Sequence, residues 1–295
     1  MQAGVIGVGD MGSGLAKNLI AAGISVSGFD LDQDRLAQLK ELGGTPAASV
    51  AEVGRNSQTV FVMVMNGAQA LNVIAGPDGL SDTMPAGGTV ILTATIKPSE
   101  AARIAEAVAD RDIDLVDSPV SGGFDGAQNG ALTMMAAARP EVLEKVKAEM
   151  DAVSKTIHIV GTEIGMGQTV KACLQSLMGC VFSASFEAAV LAAKAGVDPQ
   201  ILHRVFATSG AGNSVTNNAL EKIMQGRFVG TGSHISTMHK DLTIVSDMAR
   251  ELGVPLFTAN IALQLFEAGK TKYPEGDNWI VAKMLEEIAG VEFRS

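Results

Sequence analysis

The feature that most constrains this 295-residue chain lies close to its start. Gly7-Val8-Gly9-Asp10-Met11-Gly12 follows directly on an apolar run, Ala3–Gly7, and opens an amphipathic stretch, Gly12–Ala22. Each glycine answers a separate geometric need. Gly7 permits a tight turn, Gly9 brings backbone close to a pyrophosphate, and Gly12 lets helix and strand pack closely. The helix that follows offers free N–H groups and its positive dipole end at the same place. Glycine turns are common, so these six residues alone say little. A second run, Ser25–Asp30, ends in an acid 18 residues after Gly12, where a ribose 2′-hydroxyl would be held. Strand, glycines, helix and acid in that order predict a dinucleotide-binding turn. Its residues are Gly7, Gly9, Asp10, Met11, Gly12 and Asp30. A carboxylate accepts hydrogen bonds from ribose hydroxyls and repels a 2′-phosphate, and Leu31 rather than an arginine follows it. NAD is expected over NADP, with Arg35 a nearby cation able to swing toward the same pocket.

Beyond that turn the first half keeps alternating. Strands are expected at Ala3–Gly7, Ser25–Asp30, Thr59–Met65, Thr89–Thr93, Asp114–Ser118, Leu132–Ala137 and Lys155–Val160, and amphipathic helices at Asp32–Leu42 and Ser99–Asp110. Such alternation predicts a parallel sheet with helices on both faces, and near-continuous apolar strands suit burial on both sides. After Gly161 the pattern becomes helical throughout, beginning with one proline-free stretch, Ile164–Ala195. Asp198 and Pro199 then read as N-cap and first residue of a new helix. Further helices are expected at Ser214–Met224, Ser233–Leu252, Phe257–Ala268 and near Trp279–Ala289. The fold class is α/β: an N-terminal Rossmann-type doubly wound sheet in residues 1–162 and an all-helical domain in 163–295, joined by the long helix.

Composition narrows the partners. The chain is 47% hydrophobic and 18% charged, which excludes disorder as its general state. Its net charge is −10 and it has no run of lysines and arginines, so neither nucleic acid nor an anionic membrane surface is expected as a partner. No uninterrupted apolar run reaches the ~18 residues of a membrane span; the richest stretch, Ala172–Leu191, is broken by Gln175, serines and Glu187. With no secretory leader visible before Ala3, a cytoplasmic location is expected. Cys173 and Cys180 lie two turns apart on one helix, too far for a disulfide, and read as small buried hydrophobes. They have no histidine at metal-ligand spacing, and no metal is expected.

The run Gly7 to Leu19 resembles the opening signature of the β-hydroxyacid dehydrogenases, the family of 3-hydroxyisobutyrate dehydrogenase. Four later segments match in order: Thr93-Ala94-Thr95-Ile96, Asp117-Ser118-Pro119-Val120-Ser121-Gly122-Gly123, Gly165-Met166-Gly167-Gln168-Thr169-Val170-Lys171, and His239-Lys240-Asp241-Leu242. The resemblance spans essentially the whole chain. It implies NAD-dependent oxidation of a small hydroxy acid, or reduction of a semialdehyde in reverse, by a homodimer or homotetramer. It implies further cofactor contacts from Met65, Asn66, Thr95 and Lys240, and substrate contacts from Ser121, Gly122, Gly123, Gln175, Asn213 and Ser214. The family usually carries asparagine where Gln175 stands, and most relatives have proline where Asn66 stands. With Ala211-Gly212-Asn213-Ser214, these departures are similar to the L-threonate dehydrogenase branch.

The resemblance makes Lys171 the catalytic residue. Oxidising an alcohol requires a group that takes the hydroxyl proton as hydride leaves carbon, and the same group when protonated serves the reverse reaction. Lysine ordinarily titrates near ~10.4, and burial among Val170, Ala172, Leu174 and Leu177 would lower that. The residues alone equally allow a lysine that reaches out to water. Three more positions can be read in two ways. Ser121-Gly122-Gly123 suits a carboxylate cradle or a surface turn, Ser214 a substrate contact or a helix cap, and Lys240 a cofactor contact or an ion pair with Asp241. A protein that binds NAD as a redox sensor, without turnover, is the rival of another class.

Overall fold

Apolar runs with alternate residues facing opposite ways build the sheet. In the computed structural model, which describes residues 2–294, the strands are β1 (Gln2–Ile6), β2 (Ser25–Phe29), β3 (Thr45–Pro46), β4 (Thr59–Val62), β5 (Gly88–Leu92), β6 (Ile113–Asp117), β7 (Val120–Ser121), β8 (Leu132–Ala137) and β9 (Ser154–Gly161). Helices α1 (Asp10–Ala21), α2 (Gln33–Glu41), α3 (Val50–Asn56), α4 (Gly67–Ala75) and α5 (Leu80–Thr83) lie between the first five strands. Helices α6 (Pro98–Ala107), α7 (Gly123–Gln128), α8 (Pro140–Lys145) and α9 (Lys147–Val153) follow.

Strand order is β3-β2-β1-β4-β5-β6-β8-β7, with β9 on β8. From β3 to β6 every pairing is parallel. Val60, Val62, Val90 and Leu92 pack in one apolar cluster, while Phe61 and Ile91 pack in the other. That two-sided burial is why these strands read as unbroken apolar runs. The expected parallel sheet extends from β3 to β6 and gives way at β8, which runs antiparallel to β6 and β7. A parallel return needs a helix long enough to cross the sheet, and α7 has only six residues. Because β1 to α1 and β4 to α4 leave in opposite directions from the middle of the sheet, a crevice opens at the carboxyl ends of β1 and β4, the usual place for a dinucleotide.

The chain divides into two compact units, one ending at Lys171 and one beginning at Ala172, a division that falls inside α10 (Met166–Lys194). The second unit continues with α11 (Pro199–Thr208), α12 (Ser214–Met224), α13 (Ile235–Leu252), α14 (Phe257–Lys272) and α15 (Ile280–Ala289). Asp198 caps α11 as expected, its carboxylate accepting from Ile201 N at 3.0 Å. Phe182 of α10 stacks on Phe186 at 5.8 Å and meets Trp279 edge-on at 5.8 Å, and Phe266 closes the group. Each such ring pair adds about 1 kcal/mol beyond area burial.

Averaged over a window, α10 is long and apolar enough to cross a membrane, with mean hydropathy 1.6. Its polar interruptions are answered inside the protein: Ser183 donates to Gly179 O, Ser185 to Val181 O and to Thr216 Oγ1, and Gln175 to Asp241. The cysteines differ from expectation. Cys173 is exposed, and Cys180 is half-buried with its thiol pKa raised by that burial.

Candidate active site

The glycine turn is as crowded as its sequence demands. Gly7 sits at φ +85°, and a Cβ there would lie 2.4 Å from Met63 O. A Cβ on Gly12 would lie 1.8 Å from Gly7 O, so no other residue fits between strand and helix. Gly9 is the N-cap of α1 and, having no side chain, makes no side-chain bond to the first turn. Met11 leans its side chain on the core, so its contribution there is backbone.

Asp30 follows β2 and braces the turn. Its Oδ2 accepts from Val8 N at 2.9 Å and its Oδ1 from Asp32 N at 3.0 Å. Arg35 lies 3.6 Å from the same carboxylate, and its guanidinium would meet a Cβ on Gly9 at 3.0 Å. The arginine therefore already covers the glycine turn. It is also paired with Asp32, which holds a second negative charge where a 2′-phosphate would need none.

Further along the same edge of the sheet, Asn66 caps α4 by accepting from Gln69 N at 2.9 Å, and Gln69 Oε1 in turn accepts from Met65 N. That reciprocal cap occupies the Asn66 side-chain oxygen, and Met65 stands exposed beside it. Thr95 lies half-buried between buried Ala94 and Ile96 after β5. Ser121 ends β7, and Gly122 and Gly123 follow at φ +136° and +60°, both exposed. These values require glycine and turn the chain into α7. The first unit thus brings Gly7, Gly9, Gly12, Asp30, Met65, Asn66, Thr95 and Ser121 to the carboxyl edge of one sheet.

Beneath this edge lies a network that sequence reasoning missed. Asp117 ends β6 and is fully buried. Its carboxylate accepts from Gly165 N at 2.8 Å, Gln168 N at 3.2 Å and Gln168 Nε2 at 2.9 Å. Burial pushes its pKa up to about 6, against the opposing effect of those hydrogen bonds. Gln168 also takes Ile96 N on its Oε1 and donates to Ala94 O, both at 3.0 Å. Lys171 comes three residues later on α10 and is only 6% exposed. That burial runs against a lysine reaching out to water, and its expected apolar collar is thinner than the sequence suggested. Leu177 is 66% exposed, because it lies on the outward face of α10.

In the second unit, Gln175 is buried on α10 and donates to Asp241 Oδ2 at 2.6 Å, while its Oε1 has no partner among the described residues. Lys240 pairs with Asp241 Oδ1 at 3.0 Å, as the ion-pair reading expects. Asn213, not Ser214, caps α12, accepting from Thr216 N at 3.0 Å; Ser214 is the first helical residue. No group of three metal-ligating side chains occurs among the described residues.

A family model described as the NAD binding domain of 6-phosphogluconate dehydrogenase matches residues 2–161. A second, described as NAD-binding of NADP-dependent 3-hydroxyisobutyrate dehydrogenase, matches residues 165–285. The chain is 34% identical to L-threonate dehydrogenase of Escherichia coli over 288 residues, 97% of this chain and 95% of that protein. It is a β-hydroxyacid dehydrogenase. This β-hydroxyacid dehydrogenase is also similar to 2-(hydroxymethyl)glutarate dehydrogenase of Eubacterium barkeri, 32% identical over 99% of this chain and 97% of the relative. The crystal structure of 3-hydroxyisobutyrate dehydrogenase from Salmonella typhimurium is similar with TM-score 0.88 and 30% identity, covering 96% of this chain and 99% of that one. Residues 2–161 of this β-hydroxyacid dehydrogenase are an NAD-binding domain.

Proposed function

We propose that this β-hydroxyacid dehydrogenase oxidises a small hydroxy acid with NAD, with L-threonate the preferred substrate and 3-hydroxyisobutyrate-like acids the nearest competitors. The observation that carries the reading is a buried lysine, Lys171, held in the unit that also carries the glycine turn and Asp30. The L-threonate preference rests on the relatives, among them the enzyme of Escherichia coli at 34% identity.

The chain suits the cofactor on its own geometry. A Cβ at Gly7 would strike Met63 O and one at Gly12 would strike Gly7 O, so the tight turn that a dinucleotide site needs depends on both glycines, and Asp30 is the acid for the ribose hydroxyls. NAD, when bound, accepts the hydride. Residues Asp10 and Met11 offer first-turn N–H groups to its phosphates, and Met65, Asn66, Thr95 and Lys240 flank the remainder. Lys171 takes the proton from the substrate hydroxyl, and its ammonium form returns a proton in the semialdehyde-reducing direction. Ser121, Gly122 and Gly123 hold the substrate carboxylate through exposed N–H groups and a hydroxyl. Gln175, Asn213 and Ser214 meet its distal hydroxyls. Residues 1–162 bind the dinucleotide, and 163–295 form the substrate and oligomerisation domain.

A homodimer or homotetramer is part of the same reading. Leu177 and Leu191 on α10, and Phe257 and Ile261 on α14, are exposed apolar side chains that a second copy would cover. Light scattering of the purified protein reads this directly. The function itself is tested by NAD and NADP reduction on a panel of three- to five-carbon hydroxy acids. Fastest turnover with L-threonate and NAD supports the proposal. NADH binding with no turnover on any acid replaces it with the redox-sensor reading.

A further inference from the structure

Asp117 does at a distance what an N-cap does locally. Its Oδ2 accepts from Gly165 N, just before α10, and from Gln168 N, the third residue inside it, although the first partner is 48 residues away in sequence. A carboxylate there also faces the positive end of the helix dipole. Close approach is possible because Gly167 has no side chain: a Cβ would lie 2.6 Å from Met135 O and 2.8 Å from Asp117 O.

Gln168 extends the cap to a second element. Its amide grips the backbone on both sides of Thr95, taking Ile96 N and giving to Ala94 O, while also giving to Asp117 Oδ1. Ile96 N can only donate and Ala94 O can only accept, so the amide has a single allowed orientation. Lys171 follows at i+3, on the same face of the helix.

We propose that Asp117 and Gln168 are positioning residues that fix Lys171 relative to the Thr93–Ile96 turn, a proposal that rests on reading Lys171 as the base. Neither touches the reacting atoms. They act by holding the start of α10 and the turn as one piece, and a displacement of ~1 Å at such a place is enough to cost about 100-fold in rate.

Two near-isosteric variants test this. Gln168→Glu removes both side-chain donors and sets a second carboxylate against Asp117. Asp117→Asn turns an amide N–H toward Gln168 Nε2. The double variant reverses donor and acceptor between the two positions and restores that bond, leaving Ala94 O without its donor. Turnover is counted per NADH-binding site, titrated by fluorescence, so that only folded enzyme is scored. Each single variant is expected to lose at least about 30-fold in kcat with NADH affinity within about threefold, and the double to recover to within about tenfold of wild type. Amides in 93–98 and 164–172 should exchange faster in the singles. Glu149→Gln, which alters a buried carboxyl bonded to Thr59 at the opposite end of the sheet, should leave kcat per site unchanged.

Single variants with wild-type kcat per site overturn the proposal, even if their thermal midpoints fall. If a single variant yields no binding sites, the double decides: recovery supports positioning, and NADH binding without turnover overturns it. Absence of turnover in wild type defeats the dehydrogenase reading itself, which separates that failure from this one.

Discussion

Two aspartates at the same edge of the sheet, Asp30 and Asp117, do opposite work with one chemistry. Each carboxylate ties down a glycine-containing loop by accepting backbone N–H groups, from Val8 in one case and from Gly165 and Gln168 in the other. Asp30 sits at the rim beside Arg35 at 3.6 Å, with part of its side chain open to a ligand. Asp117 is sealed, and its hydrogen-bond partners are backbone and amide N–H groups. The first suits a group that must exchange partners with a cofactor. The second suits a group that never exchanges them. The comparison teaches that position along a strand sets which atoms a carboxylate meets, while burial and counter-charge decide whether it binds or braces.

The largest test isolates the loop that Asp30 braces. Gly12→Ala drives a Cβ into Gly7 O and should abolish NADH binding, a loss of about 100-fold or more, while amides in 164–172 stay protected from exchange. Exposed amides there would mean that the two loops are one cooperative unit and that the comparison is false.

A test of similar size uses pH. Between its ordinary value of 3.8 and about 6, Asp117 holds its proton in the folded protein but releases it in the unfolded chain. Stability therefore falls as pH rises through that window, by about 3 kcal/mol in all for this group. Wild type should lose roughly that much relative to Asp117→Asn between pH 4 and pH 7 in denaturant titrations. A constant difference across the range would show that burial does not penalise the charge.

Asp30→Asn sharpens the contrast further. It should weaken NADH binding about tenfold and narrow the preference for NAD over NADP, with kcat within about twofold. The Asp117 variant should do the reverse. The smallest effect calibrates both: Asp198→Ala removes an ordinary exposed cap from α11 and should cost about 1 kcal/mol without changing kcat.

How much of this was legible in the sequence follows from the range of each interaction. The glycine turn and Asp30 lie within one βαβ unit, so spacing alone reveals them. Strands β4 and β5 declare themselves because both their faces are buried, whereas the two-residue β3 and β7 carry no periodicity. The reversal at β8 was illegible, since an apolar run has no direction. Asp117 and Gln168 meet across 51 residues, and the one local clue was an acid ending an apolar strand. At α12 two polar residues stood side by side, either able to cap, and the cap fell to Asn213, which accepts from Thr216 N. Leu177 misled because helical spacing around Lys171 shows neighbours in sequence but not the outward face of α10.

The most direct measurement is kcat for Lys171→Ala on the best hydroxy acid, per NADH-binding site and across pH. The account predicts a fall of about 1,000-fold with NADH affinity within about threefold. Turnover near the wild-type rate in that variant would contradict it.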